Sequence, residues 1–305
     1  METYETMKRL WMILWIAAMA FVAACSAGAG GGASHGAHHG GEADASGGGA
    51  SHGGVHGAGD GHDGHSHGAE GEDSGAAAGL QASFAFPNGA PEAGQRTTLE
   101  LRISREDGSV VTAYDVSHEK LMHLIAVSED LSFFAHLHPE LEDDGRFTVE
   151  AEFPKGGRYK LFADFVPTGA WPVTIGQWID VAGDVRDETP PADEELVKTV
   201  DGKEVALDIS PFAAQTDAAL TFTIRDAATG EPIADLEPYL GAVGHVVIVS
   251  EDAESYLHVH PDDASGSGPE AAFHTSFPSG GTYRIWGQFQ HEGNVFTVPY
   301  TVNVP

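Results

Sequence analysis

The chain of 305 residues has a single cysteine, Cys25. No disulfide can form within it, so its folded parts must be held by packed cores. Basic residues are scarce: 15 Lys and Arg stand against 46 Asp and Glu, for a net charge of -31. None occurs between Arg9 and Arg96. Such a surface repels nucleic acid and anionic lipid headgroups, which excludes nucleic acid as a partner, and it attracts cations. Aromatic residues are missing from Ser26 to Gly79. That stretch cannot bury enough apolar surface to offset its ordering entropy, so it reads as a disordered spacer. No useful 3.6-residue amphipathic segment occurs; Ala192–Val197 would make one turn at most. Nucleophile elbows and phosphate-cradling glycine loops are also missing, and no recognisable motif places a carboxylate as general base. The chain is therefore expected not to be an enzyme.

What is present begins at the N-terminus. Lys8 and Arg9 precede an apolar run from Leu10 to Ala24. The run has the length of a signal-peptide core and falls short of the roughly 20 residues that span a bilayer. It closes on Val22-Ala23-Ala24-Cys25, which resembles the lipobox of bacterial lipoproteins. The resemblance implies a signal peptide over residues 1–24 and a lipid anchor on Cys25. It places the chain at the cell membrane, on its extracytoplasmic face. An ordinary cleaved signal with a chance cysteine is the competing reading. As a Gly-rich coil the spacer, residues 25–79, would span roughly 40 Å r.m.s.. It carries His35, His38, His39, His52, His56, His62, His65 and His67, a tract able to chelate divalent metal loosely.

From Leu80 onward the pattern is β. Runs such as Thr98–Ile103 and Leu220–Ile224 alternate or are β-branched, with Gly, Pro and Asp turns between them. Many short strands argue for a sandwich. The chain also repeats. MHLIAVSEDLSFFAHLHPE, from Met122, returns as GHVVIVSEDAESYLHVHPD, from Gly244, displaced by 122 residues without a gap. Phe153–Tyr159 matches Phe277–Tyr283, and Ala163-Asp164-Phe165 matches Gly287-Gln288-Phe289. A period of that size means a duplicated domain. The expected organisation is an all-β pair of tandem domains, 80–183 and 196–305, joined by an acidic linker, 184–195.

Three histidines occupy equal places in each copy: His123, His136 and His138, then His245, His258 and His260. With Glu129 and Asp130 as a two-residue hairpin loop, His123 lies directly across from His136. His138 shares that face, being two residues further on. The same arrangement follows for His245 and His258 around Glu251-Asp252. Three imidazoles on one patch suit copper or zinc. A one-residue slip in the turn would put His123 on the opposite face. The alternative is that these histidines are structural, the His-Leu-His-Pro segment simply ending a strand. Among weaker candidates, Asp164 could serve only the first copy, since Gln288 replaces it. Met122 could offer sulfur to Cu(I), though Gly244 replaces it. His118, His274 and His291 have no counterparts and read as exposed or locally bonded.

The pattern M-H-L-x-x-V-S-E-D-L, H-L-H-P, F-P-x-x-G-x-Y and F-A-D-F resembles secreted bacterial proteins with YtkA-like domains, often associated with heavy-metal handling. Glu237-Pro238-Tyr239-Leu240-Gly241 adds to it in the second copy. The resemblance implies immunoglobulin-like β-sandwich domains and a copper or other heavy-metal connection for the six repeated histidines. The expected function is a membrane-anchored lipoprotein that binds copper or zinc for buffering or delivery, with a metal-handling protein as partner. The alternative is a non-enzymatic cell-surface adhesion or scaffolding module.

Overall fold

The computed structural model describes residues 79–259, 261 and 265–305. The signal-like segment, Cys25, the histidine tract and His260 lie outside the described residues.

The first domain holds nine strands: β1 Leu80–Ala85, β2 Arg96–Arg105, β3 Tyr114–Asp115, β4 Met122–Ser128, β5 Phe134–Leu137, β6 Glu140–Leu141, β7 Arg146–Glu152, β8 Gly157–Pro167 and β9 Val173–Val181. One sheet runs β1-β2-β7-β6. The other runs β3-β8-β4-β5, with β9 also pairing along β8. The second domain holds β10 Val197–Val200, β11 Lys203–Ser210, β12 Asp217–Asp226, β13 His245–Ser250, β14 Tyr256–Val259, β15 Glu270–Ser276, β16 Gly281–His291 and β17 Asn294–Val304. Its sheets run β10-β11-β12-β15 and β14-β13-β16-β17. All the strand pairs are antiparallel. These are two tandem immunoglobulin-like β-sandwich domains.

Each sandwich closes on its own core through strict alternation. In β2, Leu99, Leu101 and Ile103 point inward and the residues between them do not. Leu220, Phe222 and Ile224 do the same in β12. The repeated Phe-Pro-x-Gly-Gly-x-Tyr segment makes a tyrosine corner, a device of this fold. The Tyr159 hydroxyl donates to the Lys155 carbonyl at 2.8 Å, and the Tyr283 hydroxyl donates to the Ser279 carbonyl at 3.0 Å. Both rings are fully buried, so each hydroxyl needs that partner.

Strands β4 and β13 break the alternation because they are buried along their whole length. One face of each lies in its own sandwich core. The other face meets the neighbouring domain. Ile125, Val127 and Phe162 of the first domain form a single apolar cluster with Val247, Val249 and Trp286 of the second. Strands covered on both sides are expected to read as continuous apolar runs. The Leu-Ile-Ala-Val and Val-Val-Ile-Val segments are such runs.

The contact has approximate two-fold symmetry. Phe134 stacks on Trp286 with centroids 4.7 Å apart, and Tyr256 stacks on Phe162 at the same 4.7 Å. Phe134 and Tyr256 are equivalent in the two copies, as are Phe162 and Trp286. The tandem pair therefore docks as a symmetric dimer would, through one repeated patch. The linker is pinned to both domains: the Glu188 amide donates to Asp130, and the Thr301 amide donates to Asp193, each at 2.8 Å.

Candidate metal centre at the domain junction

The outer face of β4 carries His123, Ile125 and Val127 in sequence. The hairpin to β5 does not have a two-residue loop. Ser128 pairs with Phe133, leaving four residues, Glu129 to Ser132, in the turn. Its residues explain this. Asp130 accepts hydrogen bonds from the Ser128 hydroxyl and the Ser132 amide, and Leu131 sits in the left-handed region at φ 53°. The register is Ile125 opposite His136, not His123 opposite His136. Continued by one pair, it sets His123 opposite His138. The displacement from the expected register is two residues. An even displacement keeps every side chain on its face, so the three histidines still converge. The second hairpin is shifted likewise, with Val247 opposite His258.

The first set is tight. His123 Nδ1 lies 2.9 Å from His136 Nε2, and ligand nitrogens of His123, His136 and His138 all fall within 4.8 Å of one another. The far nitrogens fix the tautomers. His123 Nε2 lies 3.0 Å from the Ser117 carbonyl, which only accepts, so Nε2 carries the proton. His136 Nδ1 lies 2.7 Å from Gln288 Oε1, whose amide nitrogen is spent on Thr297, so Nδ1 carries the proton. The two facing nitrogens are then both lone pairs. Neither ring takes up a second proton at neutral pH to bridge them. Burial pushes His136 down to about 3 and His138 down to about 4, and lowers His123. His138 Nε2 is buried without a hydrogen-bond partner. Two lone pairs thus face each other, with a ligand nitrogen of His138 within 4.8 Å of both rings' ligand nitrogens, where a proton is disfavoured. Around a tetrahedral ion with bonds of about 2.0–2.1 Å, neighbouring nitrogens stand roughly 3.3 Å apart. The His123–His136 distance of 2.9 Å lies within about half an ångström of that spacing.

The second copy repeats the arrangement from the other side. His245 Nδ1 lies 3.2 Å from His258 Nε2, and His258 Nδ1 donates to Asp164 Oδ2 at 2.8 Å. His136 is thus oriented by the second domain, and His258 by the first. The two sets are adjacent. Ring centroids of His123 and His258 are 5.3 Å apart, and those of His136 and His245 are 6.2 Å apart.

Three expectations are corrected. Asp164 is the register partner of His123, yet its carboxylate crosses to His258, so it serves the second set. His118 is at the junction, with its ring centroid 5.1 Å from that of His245 and 6.2 Å from that of His123. No signal in the repeat could have found it, because copy two has no equivalent. Met122 points into the first sandwich core and offers no sulfur to the site. Gly244 replaces it in copy two because a Cβ there would come within 2.6 Å of the Phe289 ring. His274 and His291 pair with Asp217 and Asp235 on the second domain.

Fold and junction together define a tandem β-sandwich protein with a histidine cluster built jointly by both domains. The chain belongs to the family described as Domain of unknown function (DUF8832), whose model matches residues 74–182 and again 198–305. No curated protein matches. Among solved structures, the chain is similar to the Escherichia coli adhesin FdeC, at 14% identity and a TM-score of 0.26, covering 74% of this chain and 65% of that one. Invasin, a bacterial integrin-binding protein, is matched at 11% identity and a TM-score of 0.21, covering 73% and 39%. MtrC from Shewanella baltica is matched at 7% identity and a TM-score of 0.24, covering 73% and 68%. The chain spans less than two thirds of the first two structures. At these scores the likeness carries no argument about function.

Proposed function

We propose that the protein is a non-enzymatic binder of a transition metal, copper or zinc, held by His123, His136 and His138 at the junction of its two domains. The observation that carries this reading is the meeting of the His123 and His136 lone pairs at 2.9 Å. Two acceptors at that distance repel, and a cation turns the repulsion into coordination. All-imidazole donors suit copper and zinc. Hydrogen bonds on the far nitrogens, to Ser117 and Gln288, hold the rings as metal-ligating histidines are usually held. The finer reading follows the sequence: a YtkA-like, heavy-metal-associated lipoprotein anchored by Cys25 outside the cytoplasm, buffering or delivering the metal. In it the histidine tract captures metal weakly and the junction holds it tightly.

Calorimetric titration tests this on the full chain carrying serine at the eight tract histidines. A tight class for Cu²⁺ or Zn²⁺, lost in His136→Ala/His138→Ala, is the expected result. No tight class would overturn the reading. A second reading, a cell-surface scaffold or adhesion module with structural histidines, has its own support. The bonds from His136 to Gln288 and from His258 to Asp164 tie the domains together without any ion. It predicts that metal changes neither stability nor domain docking.

A further inference from the structure

We propose that the junction binds a second ion of the same class, held by His245, His258 and His118, close beside the first. The inference rests on the metal reading above and extends it to a paired centre. Its basis is the repetition of the whole arrangement, not only of residue types. Each set has an Nδ1-to-Nε2 approach between a histidine on the central strand and one on the following strand, at 2.9 Å and 3.2 Å. Each also has a far-side hydrogen bond from the second of those histidines to the opposite domain.

In the first set a third ring, His138, lies 5.2 Å and 4.7 Å from the other two by centroid. In the second set His118 plays that part, at 5.1 Å from His245 and 5.9 Å from His258. It reaches the position from the first domain. Its backbone, at φ 46°, and that of Glu119, at φ 65°, make the two-residue turn between the mutually hydrogen-bonded Ser117 and Lys120, which carries the ring to the junction. The second set is the more open one: among the described residues only the first closes to within 4.8 Å. It has a compensating feature. His258 leans on a carboxylate, Asp164, where His136 leans on a neutral amide, Gln288. A carboxylate makes the ligating nitrogen more basic and brings a negative charge beside the second cation. Because the second set draws on both domains, neither domain alone could hold this ion. The first ion repels the second, so binding is stepwise with the second step weaker.

The test is titration of Cu²⁺ into the full chain with its tract histidines replaced by serine, followed by electron paramagnetic resonance. At one equivalent the spectrum is that of an isolated Cu²⁺. At two equivalents a dipole-coupled pair with a half-field transition is expected, from ions only several ångströms apart. Asp164→Asn and His118→Ala should each weaken the second step 10–100-fold, the usual cost of losing a support or donor, and leave the first unchanged. Asp164→Asn is nearly isosteric, which keeps the test informative should larger changes unfold the chain. One copper per chain, or two without coupling, would overturn the second site and leave the first standing. Equal weakening of both steps by Asp164→Asn would also overturn the assignment. Failure to bind either copper or, in a parallel calorimetric titration, zinc would remove both readings.

Discussion

Trp286 and Phe134 belong to different domains and meet only if those domains dock face to face. Trp286 is 3% exposed and points away from its own sandwich core, into the shared cluster. Its replacement by alanine should cost about 3–5 kcal/mol, as for other buried large aromatics. Phe134 is half-buried, so Phe134→Ala should cost less. The informative quantity is their coupling. An offset aromatic stack contributes about 0.5–1.5 kcal/mol beyond its buried area. The rings lie 4.7 Å apart and 18° from parallel, a geometry that should realise it. A double-mutant cycle by urea denaturation of the full chain measures the coupling. The symmetric pair, Phe162 and Tyr256, with 4.7 Å and 22°, supplies an internal replicate. Both cycles should depart from additivity by about 0.5–1.5 kcal/mol. Independent sites add within about 0.3–0.5 kcal/mol. Additivity within that range in both cycles would refute the docked arrangement, and with it the shared site.

Acid should destabilise the metal-free protein. Burial holds His136 near 3 and His138 near 4 in the folded state, against about 6.5 when unfolded. The unfolded chain therefore binds protons that the folded one does not, starting below pH 6.5. The contribution of these groups is complete above pH 6.5 and declines as pH falls toward 4 and then 3. Urea midpoints at pH 7.5 and pH 5 check this, and a higher midpoint at pH 5 would contradict it. Tyr283→Phe and Tyr159→Phe each delete one buried corner hydrogen bond and leave the Ser279 or Lys155 carbonyl without that donor. Each should lower stability by about 1–3 kcal/mol in the same assay. A change under about 0.3 kcal/mol would mean that the corner does not hold the turn.

The sandwich cores were legible because each strand there buries one face, and period-two alternation reports that directly. The docking of the two domains was also written in the sequence, in a less obvious form. The apolar runs after His123 and His245 are too continuous for strands with one wet face. Aromatic residues also stand at outward positions 134, 162, 256 and 286 in both copies. The convergence of His123, His136 and His138 survived a misjudged turn only because the error was even. Nothing local showed that Asp130 and Ser128 would hold a four-residue loop. The crossing of Asp164 to His258, and of Gln288 to His136, could not be read from one domain, because it depends on the docking. Nor could the place of His118, which has no repeat partner and lies in an irregular segment ahead of β4.

Metal binding at the junction places an ion between His123 Nδ1, His136 Nε2 and a ring nitrogen of His138. An anomalous difference map from zinc-soaked crystals, measured across the zinc absorption edge, tests it most directly. A peak about 2.0–2.1 Å from each of those three nitrogens is expected. Zinc peaks found only at surface carboxylates or at the N-terminal histidine tract, with the junction histidines unchanged, would contradict it.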